Sequence, residues 1–383
     1  MNGISLEFIR RYLPMADPQV VLVLQGGGAL GAYQGGAFAG LAEHGTEIDW
    51  VVGTSIGAIN GAIIAGNPPE QRARKLQAFW HYVTTEEPSG LPYFGAVDWM
   101  RPWTAAMRTF GILVNGVPGF FQPRQGSVWD VTRTVAASEA SFYDTSALEA
   151  TLNEFVDFDY LNAGHVRFTV CAVNVATGEL KSFDNSRKTR ITAKHVMASG
   201  ALPPGFPPIE IDGAVYWDGG IYSNTPIDIV LDDVERRDTL CFMIDLWDPT
   251  ETVPTSIAAA ITRQKDIQYA SRSREHLEDH RQMQNMRRAI RTLSERIPAR
   301  ERKARELQPL LRLGCDSTIN IVRLIMKALP GDDHMKDIDF SRTTQAARWK
   351  AGHRDAMRAL HHKSWLKPWP AHLGMAVHEL PQE

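Results

Sequence analysis

Two apolar runs pass without a break into glycine. Val20-Val21-Leu22-Val23-Leu24 enters Gln25-Gly26-Gly27-Gly28-Ala29-Leu30-Gly31, and Trp50-Val51-Val52 enters Gly53-Thr54-Ser55-Ile56-Gly57. Apolar residues without alternation are expected of a parallel strand covered on both faces. After the first glycines, Tyr33, Ala37, Phe38 and Leu41 recur at helical spacing up to His44-Gly45. After the second, Ala58 to Ala65 reads as a buried helix of small residues ending at Gly66. Strand, loop and helix twice over predict an α/β fold with a mainly parallel central sheet. At 383 residues the chain is long for one domain and short for three. We expect one large α/β unit over residues 17–250 and a basic, mainly helical region over 251–383.

The glycine loop satisfies G-x-G-x-x-G as Gly26, Gly28 and Gly31, the pattern that grips a dinucleotide pyrophosphate. That reading needs an acidic residue closing the second strand, and Asp49 precedes it. What closes it is G-x-S-x-G, in the strand-to-helix context where a sharp elbow, flanked here by Gly53 and Gly57, lifts a serine hydroxyl above the sheet. Loops after neighbouring parallel strands emerge at the same edge, so the glycine loop should lie beside Ser55. Free N–H groups at Gly27 and Gly28, with that of Ile56, would then face the oxygen of a carbonyl attacked by Ser55. One such oxyanion donor is typically worth about 3 to 4 kcal/mol in the transition state.

A serine needs a proton acceptor. None of the twelve histidines stands on a glycine-flanked turn that ends a strand. His276 and His280 resemble H-x-x-x-H, but Leu277 occupies the position of a metalloprotease glutamate, and they read as solvated helix residues. Asp218, in Trp217-Asp218-Gly219-Gly220, does stand on such a turn. Burial near an apolar substrate would raise its pKa toward that of a useful base. Asp245, near the end of its own strand, is the rival carboxylate. No metal or cofactor is implied.

Leu91 to Pro123 is irregular and rich in aromatics, fitting either a lid over a channel or a plain core layer; Trp99 and Trp103, four apart, would line that channel or meet a membrane interface. Ile319 to Met326 reads as a further strand, and Ser341 as the N-cap of a last helix. Met283, Met286, Ile290, Leu293 and Ile297 form a narrow helical stripe that permits a homodimer. Cys171, Cys241 and Cys315 are far apart and read as reduced core thiols. Without a signal-peptide pattern or a run of about 18 apolar residues, a cytoplasmic protein is expected. The net charge of -3 gives no reason to expect a nucleic-acid partner.

These blocks, with Ala198-Ser199-Gly200-Ala201-Leu202-Pro203-Pro204-Gly205-Phe206-Pro207-Pro208 between them and Asp218-Gly219-Gly220 closing the series, resemble the patatin-like phospholipases. The resemblance covers residues 20 to about 247. It implies a three-layer α/β/α fold and a Ser/Asp dyad hydrolase of fatty-acyl esters, of phospholipase A or lysophospholipase type. Ser55 would be the nucleophile, Asp218 the base, and Gly26, Gly27 and Gly28 with Ile56 the oxyanion hole; Phe206 is assigned to the substrate channel. No cofactor would be needed, and the partners would be a lipid or acyl-ester substrate and, at its periphery, a membrane. The chain has Leu30 where many relatives carry a basic residue. Two alternatives stay open: acyl transfer by the same serine, and a non-catalytic lipid-binding scaffold built on the basic helices.

Overall fold

In the computed structural model, described over residues 18–84, 110–124, 132–187, 189–362, 365, 370 and 372–379, both apolar runs are strands. β1 (Gln19–Leu24) and β2 (Trp50–Gly53) pair in parallel, with Val21 opposite Trp50 and Leu24 opposite Gly53. Two short strands, β3 (Gln122–Pro123) and β4 (Tyr143–Asp144), pair only with each other. There follow β5 (Arg167–Asn174), β6 (Leu180–Asp184), β7 (Ile209–Ile211), β8 (Ala214–Asp218), β9 (Thr239–Asp245), β10 (Ile319–Ile325) and β11 (Met375–Glu379). The main sheet runs β11-β10-β9-β1-β2-β5-β8-β7, with β6 also on β5. Pairing is parallel from β11 through β5 and antiparallel beyond it.

The main helices are α1 (Ala32–Glu43), α2 (Ile56–Ala65), α3 (Pro69–Tyr82), α4 (Ser146–Phe155), α5 (Ala193–Ser199), α6 (Ile227–Leu231), α7 (Ile257–Arg296) and α8 (Arg342–His362). Because successive strand residues point to opposite faces, β1 serves two cores. Val20, Leu22 and Leu24 join α1 to α5 and α8, while Val21 and Val23 join α6 and Leu277 of α7. This is the expected three-layer α/β/α arrangement, and the unbroken apolar character of β1 is explained by burial on both sides. The three cysteines are buried and unpaired.

The expected boundary at residue 250 requires a correction. The run Ile319 to Met326 is indeed a strand, β10, but it pairs with β9 in the main sheet and carries β11 beyond it. Val322, Leu324, Ala356 and Leu360 belong to the same core as β1 and α2. Residues after 250 therefore complete the fold instead of appending to it. Inside β10 the buried Arg323 meets the buried Asp245 of β9 at 2.6 Å, so a charge that argues against a strand interior is paired across the ladder.

Helix α8 lies directly on α1. A Cβ at Gly36 would sit 1.9 Å from the carbonyl oxygen of Trp349, and one at Gly352 would sit 2.0 Å from that of Tyr33. The two backbones approach this closely because both positions lack a side chain. Nearby, the Tyr33 hydroxyl donates to Asp355 at 2.9 Å. On α7, Met283, Met286 and Leu293 of the expected stripe are exposed. Among the described residues, no helix is long and apolar enough to cross a membrane.

Replacing Gly352 by Ala forces α8 away from α1 and should cost roughly 1 to 3 kcal/mol of stability, read as a lowered denaturation midpoint. If the region after 250 only decorated the surface, the midpoint would not move.

Candidate active site

The second βα loop holds Ser55 with φ +56°, in the left-handed half of backbone space. A serine there is strained, and strain persists only where the surroundings over-determine it. Two glycines supply that constraint. A Cβ on Gly57 would lie 2.3 Å from the carbonyl oxygen of Leu24, and one on Gly53 would lie 2.3 Å from that of Gly57. A third restraint comes from α5, where the fully buried Ser199 hydroxyl accepts the Ser55 N–H at 2.9 Å.

Asp218 reaches the same rim from the opposite direction. β5 continues past the end of β2, and β8 descends antiparallel along that overhang, so Asp218 stops opposite Ala172, just above Gly53. Its carboxylate accepts the Gly220 N–H at 2.7 Å and lies near the Ser55 hydroxyl. Complete burial outweighs both neighbours and pushes its pKa up to about 7.

The glycine loop occupies the third side. Gly28 has φ +54°, and a Cβ there would lie 2.3 Å from the carbonyl oxygen of Asp337, so only glycine fits. That oxygen accepts the Ala29 N–H at 2.7 Å. Gly26 does not stand with its neighbours as a free donor, because its N–H is engaged by the carbonyl of Asn224 at 3.0 Å. Its own carbonyl accepts from Asn224 Nδ2 at 3.1 Å and Trp247 Nε1 at 2.8 Å. Among the described residues, the N–H groups of Gly27, Gly28 and Ile56 have no protein acceptor, and all three residues line one cavity with Ser55 and Asp218. Beneath it a buried polar chain ties the helices: Gln34 donates to the Gln25 carbonyl, Asn60 to Gln34, and Trp80 to Asn60, at 2.7, 2.9 and 3.0 Å.

The cavity measures about 260 Å³ and is walled mainly by apolar side chains. Phe206 is among them and packs with Phe120, Phe121 and Tyr143 at ring separations of 5.2 to 6.2 Å. Phe120 and Phe121 of the aromatic insertion are thus buried wall, while Phe110 is exposed; Trp99 and Trp103 lie outside the described residues. Tyr269, Asp337, Ile338 and Phe340, from the region after 250, also line the cavity.

The other candidates have structural duties. Asp49 accepts the Val20 N–H at 2.7 Å, at the far end of the strands. Asp245 is buried against Arg323. His276 and His280 are not simply solvated: they meet Asp228 at 2.9 and 3.3 Å, and His280 is largely covered. His195 forms a capping box with Thr192. Among the described residues, no cluster of His, Cys, Asp or Glu could hold a metal ion.

The serine on this elbow and the buried aspartate share a cavity whose described lining contains no histidine. The chain belongs to the patatin-like phospholipase family: that family's model matches residues 22–231, and a second, described as patatin phospholipase, matches residues 267–372. Mouse patatin-like phospholipase domain-containing protein 7 is 26% identical over 223 residues, 58% of this chain and 13% of that protein. Lysophospholipase nte1 of Aspergillus terreus is 44% identical over 85 residues, 20% of this chain and 6% of its own. Among solved structures, VipD from Legionella pneumophila aligns with a TM-score of 0.40 and 16% identity, covering 91% of this chain and 68% of VipD. Human GIVD cytosolic phospholipase A2 aligns with a TM-score of 0.37 and 12% identity, covering 95% and 63%.

Asp218 also shapes stability. With its pKa raised to about 7 from an ordinary 3.8, the folded chain keeps between those values a proton that the unfolded chain has released. This contribution therefore weakens the fold as pH rises through that window and remains unfavourable above it. Asp218→Asn should gain stability over the parent at pH 8 and gain much less at pH 4, as measured by chemical denaturation at both.

Proposed function

We propose that this chain is a lipid acyl hydrolase that cleaves fatty-acyl esters through an acyl-Ser55 intermediate. The single observation that carries the reading is the placement of the Ser55 hydroxyl beside the buried Asp218 carboxylate, in an apolar cavity also lined by Gly27, Gly28 and Ile56.

Each part has a chemical task. The left-handed backbone of Ser55 lifts Oγ off the sheet edge, where an ester carbonyl can approach it. As Oγ attacks, Asp218 takes its proton; with a pKa near neutrality it is a far better acceptor than a solvated carboxylate. The negative charge developing on the carbonyl oxygen is met by the N–H groups of Gly27, Gly28 and Ile56, already oriented and without competing acceptors. Asp218 then returns the proton to the departing alkoxide. Water, activated by the same carboxylate, releases the fatty acid from Ser55. The phenylalanine wall suits the hydrocarbon chain, which supports a fatty-acyl substrate of the phospholipase A or lysophospholipase type.

Ser55→Ala and Asp218→Asn should fold normally and lose activity on p-nitrophenyl acyl esters by roughly 10⁴-fold or more. Retained turnover in Ser55→Ala would reject the mechanism. Analysis of products with added alcohols separates hydrolysis from acyl transfer, since a transferase would give the new ester in place of free acid.

For the parent enzyme, kcat/KM should rise with unit slope as pH increases and level off above about 7, where Asp218 is ionised. A profile that is flat between pH 5 and 9 would exclude a carboxylate base in this environment.

A further inference from the structure

The glycine loop is not held by its own half of the chain. The Asp337 carbonyl accepts the Ala29 N–H at 2.7 Å and fills the space where a side chain on Gly28 would stand. The segment carrying Asp337 is in turn tied to α7 by two crossed ion pairs. Lys265 Nζ meets the Asp337 carboxylate at 2.6 Å and donates to the His334 carbonyl at 3.2 Å. One residue along on each side, Lys336 meets Asp266 at 2.6 Å, with both side chains buried. Both lysines also lie over the Trp247 ring, at 5.9 and 5.3 Å, and Trp247 donates to the Gly26 carbonyl. The loop is thereby gripped at Gly26, Gly28 and Ala29 by groups tied to α7.

We propose that Asp337, held by Lys265, is a positioning residue for the oxyanion loop, and that one role of the region after residue 250 is to fix the direction of the Gly27 and Gly28 N–H groups. This rests on the acyl-hydrolase reading, because fixed amides matter only if charge develops beside them. Alternating charge makes the clamp directional: Lys265 faces Asp337 and Asp266 faces Lys336, so a one-residue slip would oppose like charges. Preorganised donors cost no reorganisation during reaction. A loop free to move by about 1 Å loses roughly 10²-fold in rate, while substrate binding in the apolar wall is unaffected.

The test compares Lys265→Met, Asp337→Asn and the swapped pair Lys265→Asp with Asp337→Lys, in the full chain. With a short-chain p-nitrophenyl ester, each single variant should lose roughly 10- to 100-fold in kcat with KM little changed, and the swapped pair should recover most of the loss. Hydrogen–deuterium exchange should be faster in residues 26–31 of the single variants, return toward parent in the swap, and stay unchanged in β1. Parent-like kcat and exchange in the single variants would overturn the proposal, as would kcat losses matched by rising KM or left unrepaired by the swap. A parent chain inactive on every ester, with its loop still loosened in the single variants, would instead count against the hydrolase reading and for the clamp.

Discussion

The structure depends first on the backbone contact between two successive βα loops. β1 and β2 are adjacent and parallel, so their carboxyl ends fall side by side, and the Thr54 N–H donates to the Leu24 carbonyl at 3.2 Å. Gly57 stands so close to that carbonyl that a methyl group would separate the loops. Once they are joined, the remaining geometry is restricted. Ser55 must turn left-handed to leave the sheet, the start of α2 presents the Ile56 N–H, and the glycine loop has only one side on which to face them. The buried Gln25, Gln34 and Asn60 chain fixes α1 against α2 behind the loops, which fits the rule that buried amides must be paired to be tolerated.

Two buried aspartates, at the ends of β8 and β9, sit in contrasting environments. Burial raises the pKa of both Asp218 and Asp245. Asp245 sits opposite Ile325 of the next strand and meets the buried guanidinium of Arg323 two residues away, so its charge is matched across β9 and β10. Asp218 has only a peptide N–H bond and a hydroxyl nearby. Neither carries a full positive charge, and the proton affinity that results is what a base at neutral pH requires. The same deficit weakens the fold above the raised pKa.

What was legible in the sequence was local. Gly53, Ser55 and Gly57 reveal an elbow because they are contiguous with an apolar strand, and Asp218 is legible because two glycines follow it. The unbroken run Val20 to Leu24 announces burial on both faces before any neighbour is known. The partners brought from a distance were not legible. Ser199 is one of many serines until α5 is seen to lie beside the elbow, and Asn224 and Trp247 matter through their bonds to Gly26, which also removed Gly26 from the expected donors. Asp337 sits in a charged stretch without periodicity, and its backbone oxygen, not its side-chain type, touches the loop. A main-chain contact leaves no signature in residue identity. Likewise Ile319 to Met326 announced a strand, while its place beside β9 follows from long-range pairing that no local pattern encodes.

The two halves of the chain are therefore interdependent at two levels. In the sheet, β9 lies between β1 and β10, so removing the later strands would leave Cys241, Met243 and the Asp245 carboxylate beside an open edge. Unpaired edges of apolar strands invite association with other chains. Around the site, α8 presses on α1 through Gly36 and Gly352, while Asp337 presses on the loop that begins α1. A helix and the loop at its own N-terminus are thus held by the same distant region. The serine elbow is built by its own neighbours in sequence, but the loop facing it takes its shape from the other end of the chain.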